Sequence, residues 1–227
     1  MGNGEFDASG VPIRRCERYC MTMADYTLYF SPSACSLSPH IVLAEVGASY
    51  EIDKVDLKNK RLASGRDWLA INPKGYVPAL RIPSGDIITE GAVIVRYLAD
   101  QFPDAKLAPP NGTIERVRLD EWLHFIATEM HKGMGPLYKV LAGDDYKKNL
   151  REVVLPQRFA TLAAAVKPFL MGDQFTVADA YAFYVMRSWI HHQKQSLDAW
   201  PALVEYYQRL AHRPSVEKAL AEEGIAA

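Results

Sequence analysis

The sequence predicts an α/β domain with a mixed sheet, in the order βαβ then ββα, followed by an all-α helical domain. Three observations predict it. Residues 26–57 read strand, helix, strand; residues 76–90 read as two short apolar runs about a turn; and beyond a Pro-rich stretch no strand pattern returns. Strands first and helices after them point to separate domains. The expected boundaries are a leader over 1–24, the α/β domain over 25–103, a linker over 104–112 and the helical domain over 113–227.

Each element has its own signal. "YTLYF" is short, aromatic and β-branched, as strands are. "SLSPHIVLAEVG" begins on Ser36, carries Pro39 in its first turn and stops at Gly47, as helices do. "YEIDKVDL" gives the second strand, and a right-handed crossover makes it parallel to the first. "YVPALRIPSGDIITE" folds back about Ser84-Gly85-Asp86 as a hairpin, and "GAVIVRYLADQF" closes the domain as a helix. "PDAKLAPPNG" is the linker, and helices are expected over 113–138, 145–169, 176–192 and 200–223. Thr176 stands three residues before Asp179, a capping-box spacing, ahead of a helix apolar nearly all round and therefore buried.

Composition narrows the function classes. Apolar residues make up 49% and charged residues 23% of 227, a globular profile. Lys plus Arg number 26 against 27 Asp plus Glu, so no bulk charge favours nucleic acid or membrane, and no apolar run is long enough for a membrane helix. Three cysteines, Cys16, Cys20 and Cys35, form no disulfide framework. Cys16 and Cys20 lie in a polar leader without a secretory apolar stretch, followed by Met21 and Met23. No second ligand pair accompanies them, so no metal is expected. The leader reads as a disordered tail or a cloning remnant, and the protein as cytoplasmic.

The candidate chemistry begins at Cys35, where the first strand hands over to a helix. A helix N-terminus stabilises a thiolate, while a buried small hydrophobe is the alternative use of a lone cysteine. Ser38 stands where a redox C-x-x-C motif has its second thiol, so Cys35 cannot close an internal disulfide with it. Pro78 sits at a strand entry, where its missing N–H is tolerated, and a cis Val77-Pro78 bond is left open. Glu90 precedes a helix whose free N–H groups begin near Gly91; together they suit the ammonium and carboxylate of an α-amino acid. The alternative for Glu90 is simple complementation of the helix dipole. Lys60 is either a ligand for a second carboxylate or a surface lysine. In the helix from 113, Leu119, Leu123, Ile126 and Met130 make the core stripe, and His124, Thr128 and His131 share another face.

Taken in order, "FSPSACSLSPHI", "NPKGYVPAL", "ITEGAVIV", "WLHFIATEMHK" and "TVADAY" resemble the glutathione transferase family, closest to its bacterial beta class. The resemblance spans residues 25–225. It implies a thioredoxin-like first domain, glutathione as co-substrate, a homodimer and transfer to a small hydrophobic electrophile in detoxification. It implies that Cys35 faces the glutathione sulfur, that Val77 pairs with the cysteinyl unit beside a cis Pro78, and that Glu90 and Gly91 hold the γ-glutamyl end. Lys60 would take the glycyl carboxylate, and His131, Lys132 and Thr128 would approach from the helical domain. The family usually has Asn where this chain has His124, a position expected to touch glutathione. Two rival readings stand beside conjugation: glutathione-dependent disulfide, peroxide or dehalogenation chemistry with Cys35 as nucleophile, and a non-catalytic glutathione-binding or stress-related protein.

Overall fold

A computed structural model describes residues 24–226 of the chain. The leader up to residue 23, with Cys16 and Cys20, lies outside the described residues. Five strands form one sheet: β1 (Tyr26–Phe30), β2 (Tyr50–Asp56), β3 (Arg61–Leu62), β4 (Ala79–Arg81) and β5 (Ile87–Thr89). Their order is β3-β2-β1-β4-β5. Leu28 is opposite Ile52 in the parallel β1–β2 pair and opposite Leu80 in the antiparallel β1–β4 pair, so the sheet is mixed as expected. β1 is central and buried throughout, which is why its five residues carry no charge. The two-residue β3, antiparallel to β2, has too few residues for a pattern and was not expected.

Helix α1 (Leu37–Glu45) follows β1, and α2 (Gly91–Gln101) follows the hairpin. Beyond them come α3 (Ile114–Phe125), α4 (Asp144–Asn149), α5 (Leu155–Ala165), α6 (Val177–His191), α7 (Pro201–Ala211) and α8 (Pro214–Glu223). The long helices expected from periodicity are divided. The run from 113 turns from α into a π segment at Ile126–His131, then into a 3₁₀ turn at Gly135–Tyr138. The run from 145 contains a π segment at Leu150–Val154 and ends at Ala165. The helix expected over 200–223 is two helices, because Pro214 cannot continue the hydrogen-bond ladder and instead opens α8. The Pro-rich stretch after α2 is anchored too: Leu107 is buried, and its carbonyl accepts from the Val177 amide.

One apolar core joins the sheet to the helices. Leu28 and Phe30 of β1, Ile41 of α1 and Leu98 of α2 belong to the same buried cluster as Leu119, Phe159, Phe183 and Val185. The opposite face of the sheet buries Tyr29, Val55, Val77 and Ala79 under Trp68. Polar clamps reinforce the joint. Arg116 of α3 holds both oxygens of Asp100 at 2.9 Å. Glu45 of α1 receives Arg213 and Ser215, and His40 reaches Glu222 and Glu223 of α8 at 2.7 and 3.1 Å.

The capping box opens α6. Asp179 Oδ2 accepts from the Thr176 amide at 2.7 Å and the Thr176 hydroxyl at 2.8 Å. Its Oδ1 accepts from the Leu170 amide at 2.9 Å and the Tyr206 hydroxyl at 2.5 Å. Burial raises the Asp179 pKa despite these four bonds. Thr176→Ala is expected to cost about 0.5–2 kcal/mol through loss of the cap. Asp179→Ala is expected to cost more, since four buried donors lose their acceptor at about 1–3 kcal/mol each. Urea midpoints of the two variants check this ordering; equal midpoints would refute it.

Candidate active site

A cleft of about 610 Å³ lies between the end of the sheet and the π segment after α3. From the α/β side it is lined by Cys35, by Val77 and Pro78, and by Glu90 and Gly91. From the helical side Thr128, His131, Lys132 and Tyr181 close it. The Val77-Pro78 peptide bond is cis.

Cys35 occupies the turn before the Ser36 N-cap of α1. Its thiol donates to the Val77 carbonyl at 3.2 Å. Burial pushes the Cys35 pKa up to about 11, against the opposing pull of Lys132 and a backbone hydrogen bond. Of the two uses that the sequence leaves open for this cysteine, burial favours the protonated thiol, because removal of water outweighs the helix dipole.

Glu90 is the N-cap of α2 and has φ +71°, a backbone state that costs a residue with a side chain about 1–3 kcal/mol. Its exposed carboxylate is 3.0 Å from Lys74 Nζ, which also donates to Thr89 Oγ1 at 2.9 Å. The Glu90 acceptor thus already carries a cation. Gly91 is packed near Pro78 and Tyr181, so this helix start is held against both walls of the cleft.

His131 ends the π segment, and its Nδ1 is 2.8 Å from the Tyr181 hydroxyl. Its ring also meets Tyr184 edge-on, with centroids 5.1 Å apart. Burial, with Lys132 adjacent, lowers the His131 pKa to about 4, while burial raises that of Tyr181. The ring is neutral and the phenol keeps its proton at pH 7. The Tyr181 hydroxyl therefore donates to Nδ1, and Nε2–H remains as a donor. Gly133 follows because a Cβ there would lie 2.1 Å from the Glu129 carbonyl oxygen.

Two expected residues are not in the cleft wall. His124 is exposed, with Nδ1 2.7 Å from the Asp120 carbonyl. Thr128 Oγ1 donates to the His124 carbonyl at 2.9 Å, but the π segment that begins at Ile126, with Lys132 N–H bonded to the Ala127 carbonyl, breaks the α-helical register between His124 and His131. Lys60 donates to the Gly75 carbonyl at 2.8 Å instead of lining the cleft. It reaches the rim only through Tyr76, whose ring lies 5.8 Å from Lys60 Nζ and 5.7 Å from Lys132 Nζ. Lys74, Tyr76, Thr89 and Tyr181 line the cleft without having been singled out from sequence. All four stand inside motifs already quoted: Lys74 and Tyr76 in "NPKGYVPAL", Thr89 in "ITEGAVIV" and Tyr181 at the end of "TVADAY". Among the described residues no group of three or more His, Cys, Asp or Glu side chains is arranged to hold a metal ion.

Residues 32–101 match the family described as Glutathione S-transferase, N-terminal domain, and residues 129–223 match Glutathione S-transferase, C-terminal domain. Glutathione S-transferase GstA of Escherichia coli O157:H7 is 42% identical over 200 residues, covering 87% of this chain and 98% of the relative. The bacterial beta class glutathione S-transferase of Sphingomonas chungbukensis superposes with a TM-score of 0.83 at 41% identity, over 88% of this chain and 100% of that one. A sphingomonad glutathione S-transferase complexed with glutathione superposes equally well, with a TM-score of 0.83 at 40% identity and the same 88% and 100% coverage. The chain belongs to the glutathione S-transferase family, and its similarity runs to the bacterial beta class.

Proposed function

We propose that this protein is a glutathione transferase that conjugates reduced glutathione to small hydrophobic electrophiles. The observation that carries the reading is the meeting, in one cleft, of a protonated Cys35, a neutral His131, Lys132 and the free N-terminus of α2. In this reading Val77 offers its backbone to the cysteinyl unit, and Glu90 and Gly91 hold the γ-glutamyl end. Lys74 stands beside Glu90 as a further cation. Tyr76, between Lys60 and Lys132, marks the end for the glycyl carboxylate. His124 takes no part.

The mechanism follows from which groups can donate. When the glutathione thiol loses its proton, its sulfur needs donors at short range. Cys35 S–H is turned from the Val77 carbonyl to that sulfur, His131 Nε2–H supplies a second bond, and Lys132 supplies positive charge. The sulfur pair then attacks carbon, forming the C–S bond and displacing a leaving group or shifting a π pair. A pKa of about 11 leaves roughly one Cys35 in ten thousand ionised at pH 7, which weighs against Cys35 as a redox nucleophile.

A cytoplasmic homodimer completes the proposal. Val93 of α2 with Ile114 and Val117 of α3 are exposed at 53%, 60% and 51%, apolar surface that a second copy would cover. No helix among the described residues is long and apolar enough to cross a membrane.

Alkylation of Cys35 by iodoacetamide, followed by peptide mass spectrometry, is expected to be slow at pH 8 and to rise towards pH 11. Rapid alkylation at pH 7 would show a thiolate and return the redox reading. Cys35→Ser is expected to keep conjugation within about threefold, since a hydroxyl also donates to sulfur, whereas His131→Ala is expected to lose about 10- to 100-fold in kcat/KM. His131 is neutral above pH 4, so the kcat/KM profile should contain no step near pH 6.5 from its protonation. Steady-state rates with one electrophile between pH 5 and 8 check all three statements. Retention on immobilised glutathione, with no turnover across a panel of electrophiles, would favour a non-catalytic binder.

A further inference from the structure

We infer that Ser33 is a positioning residue for the sulfur chemistry, through which α6 and α8 latch the turn bearing Cys35 against Val77. Its effect on turnover rests on the conjugating function proposed above; its effect on Cys35 does not. Residues 31–34 form a β-turn of the type II pattern. The Ala34 amide donates to the Ser31 carbonyl at 3.0 Å, Pro32 holds the second position, and Ser33 holds the third with φ +64°. That third position favours glycine, because a residue with a Cβ is strained in the left-handed region. A serine persists there only if its surroundings hold it.

Three contacts hold it, all from the helical domain. Arg187 Nη1 of α6 donates to Ser33 Oγ at 2.6 Å, and His192 Nε2, just beyond α6, lies 3.2 Å from the same oxygen. The Ser33 amide donates to Glu223 Oε2 of α8 at 3.0 Å, on a fully buried carboxylate. Both anchors are themselves tied. Arg187 Nη2 donates to the Ala226 carbonyl at 2.6 Å, and Glu223 Oε1 is 3.1 Å from His40 Nδ1. A guanidinium only donates, so it needs the Ser33 oxygen as acceptor, and glycine has none to offer. The side chain that strains the turn is the one that fastens it.

Cys35 lies two residues further along the same segment. Within that segment Ser36 Oγ accepts from the Ser31 amide and donates to the Ser31 carbonyl, both at 3.2 Å. The turn is thus braced as one piece, and the Ser33 contacts tie the piece to the helical domain. With the latch made, the Cys35 thiol stays 3.2 Å from the Val77 carbonyl and away from water. Burial is the main cause of its pKa of about 11. A loosened turn admits water, so the thiol ionises at lower pH and is alkylated faster. In conjugation, loosening also removes a donor that was held in place for the glutathione sulfur before reaction.

The test compares wild type with Ser33→Ala and Ser33→Gly. Both variants lose the hydroxyl, and only alanine keeps the strain. Iodoacetamide labelling of Cys35 is followed by peptide mass spectrometry at pH 8, without glutathione and well below the melting temperature. Both variants are expected to label at least about fivefold faster, alanine more than glycine, and kcat/KM for glutathione is expected to fall in the same order. Rates that stay flat in sub-denaturing urea assign the labelling to local opening of the turn; rates that climb steeply with urea assign it to global unfolding and overturn the latch. Labelling at the wild-type rate in Ser33→Gly, whose backbone is relaxed, also overturns it. Faster labelling of both variants, with no turnover of any electrophile by wild type, keeps the latch and overturns the conjugating function.

Discussion

The buried carboxylate of Asp179 is the interaction on which the rest of the architecture depends. It gathers two amides and two hydroxyls from Leu170, Thr176 and Tyr206 at the start of α6. These bonds fix where the most buried helix of the chain begins, and the rotation of that helix then places three functional side chains. Tyr181 orients His131, Tyr184 packs on it, and Arg187 holds Ser33 beside the cysteine turn. A helix with a frayed first turn would shift all three. The cost of burying the carboxylate is offset by the number of donors it satisfies.

The cleft itself is governed by loss of water. Burial disfavours charge on either kind of group, so it raises the Cys35 pKa and lowers that of His131. The two side chains best known for ionising near neutral pH are both held neutral. In the proposed reaction both would present hydrogen to the glutathione sulfur as it becomes an anion. Positive charge is kept at the rim, on Lys132 and Lys74, where solvent lowers its desolvation cost. Donors inside and cations at the edge suit an anionic nucleophile that must remain reactive, because neutral donors stabilise it without neutralising it.

Joining two structural units through one apolar core has a consequence for the site. α1 packs against α6 and α8, so the turn bearing Cys35 is held by the helical domain as well as by the sheet. Ser33 illustrates this, since its amide reaches Glu223 at 3.0 Å and its hydroxyl meets Arg187. The cleft wall on one side is therefore positioned by elements nearly the whole chain away in sequence.

Much of this was legible in the sequence, for reasons that are local. Hydrophobic alternation, Ser36 and Gly47 around α1, Ser84-Gly85-Asp86 at the hairpin and the Thr176/Asp179 spacing all act within a few residues, so they can be read from one segment alone. The motif order carried the family and brought Cys35, Val77, Glu90 and His131 to notice. Protonation and register were decided by the tertiary structure. The N-terminus of α1 favours a thiolate until burial removes water from Cys35, and the spacing 124/128/131 suggests one face, whereas Thr128 and His131 line the cleft and His124 does not. Lys60 was lost to a carbonyl fifteen residues away in "NPKGY", and Arg187 was linked to Ser33 across more than one hundred residues. The sequence by itself determined the elements and the family, because propensity and capping are short-range. The tertiary structure alone decided charge state and partnership, because desolvation and hydrogen bonding depend on every atom nearby in space.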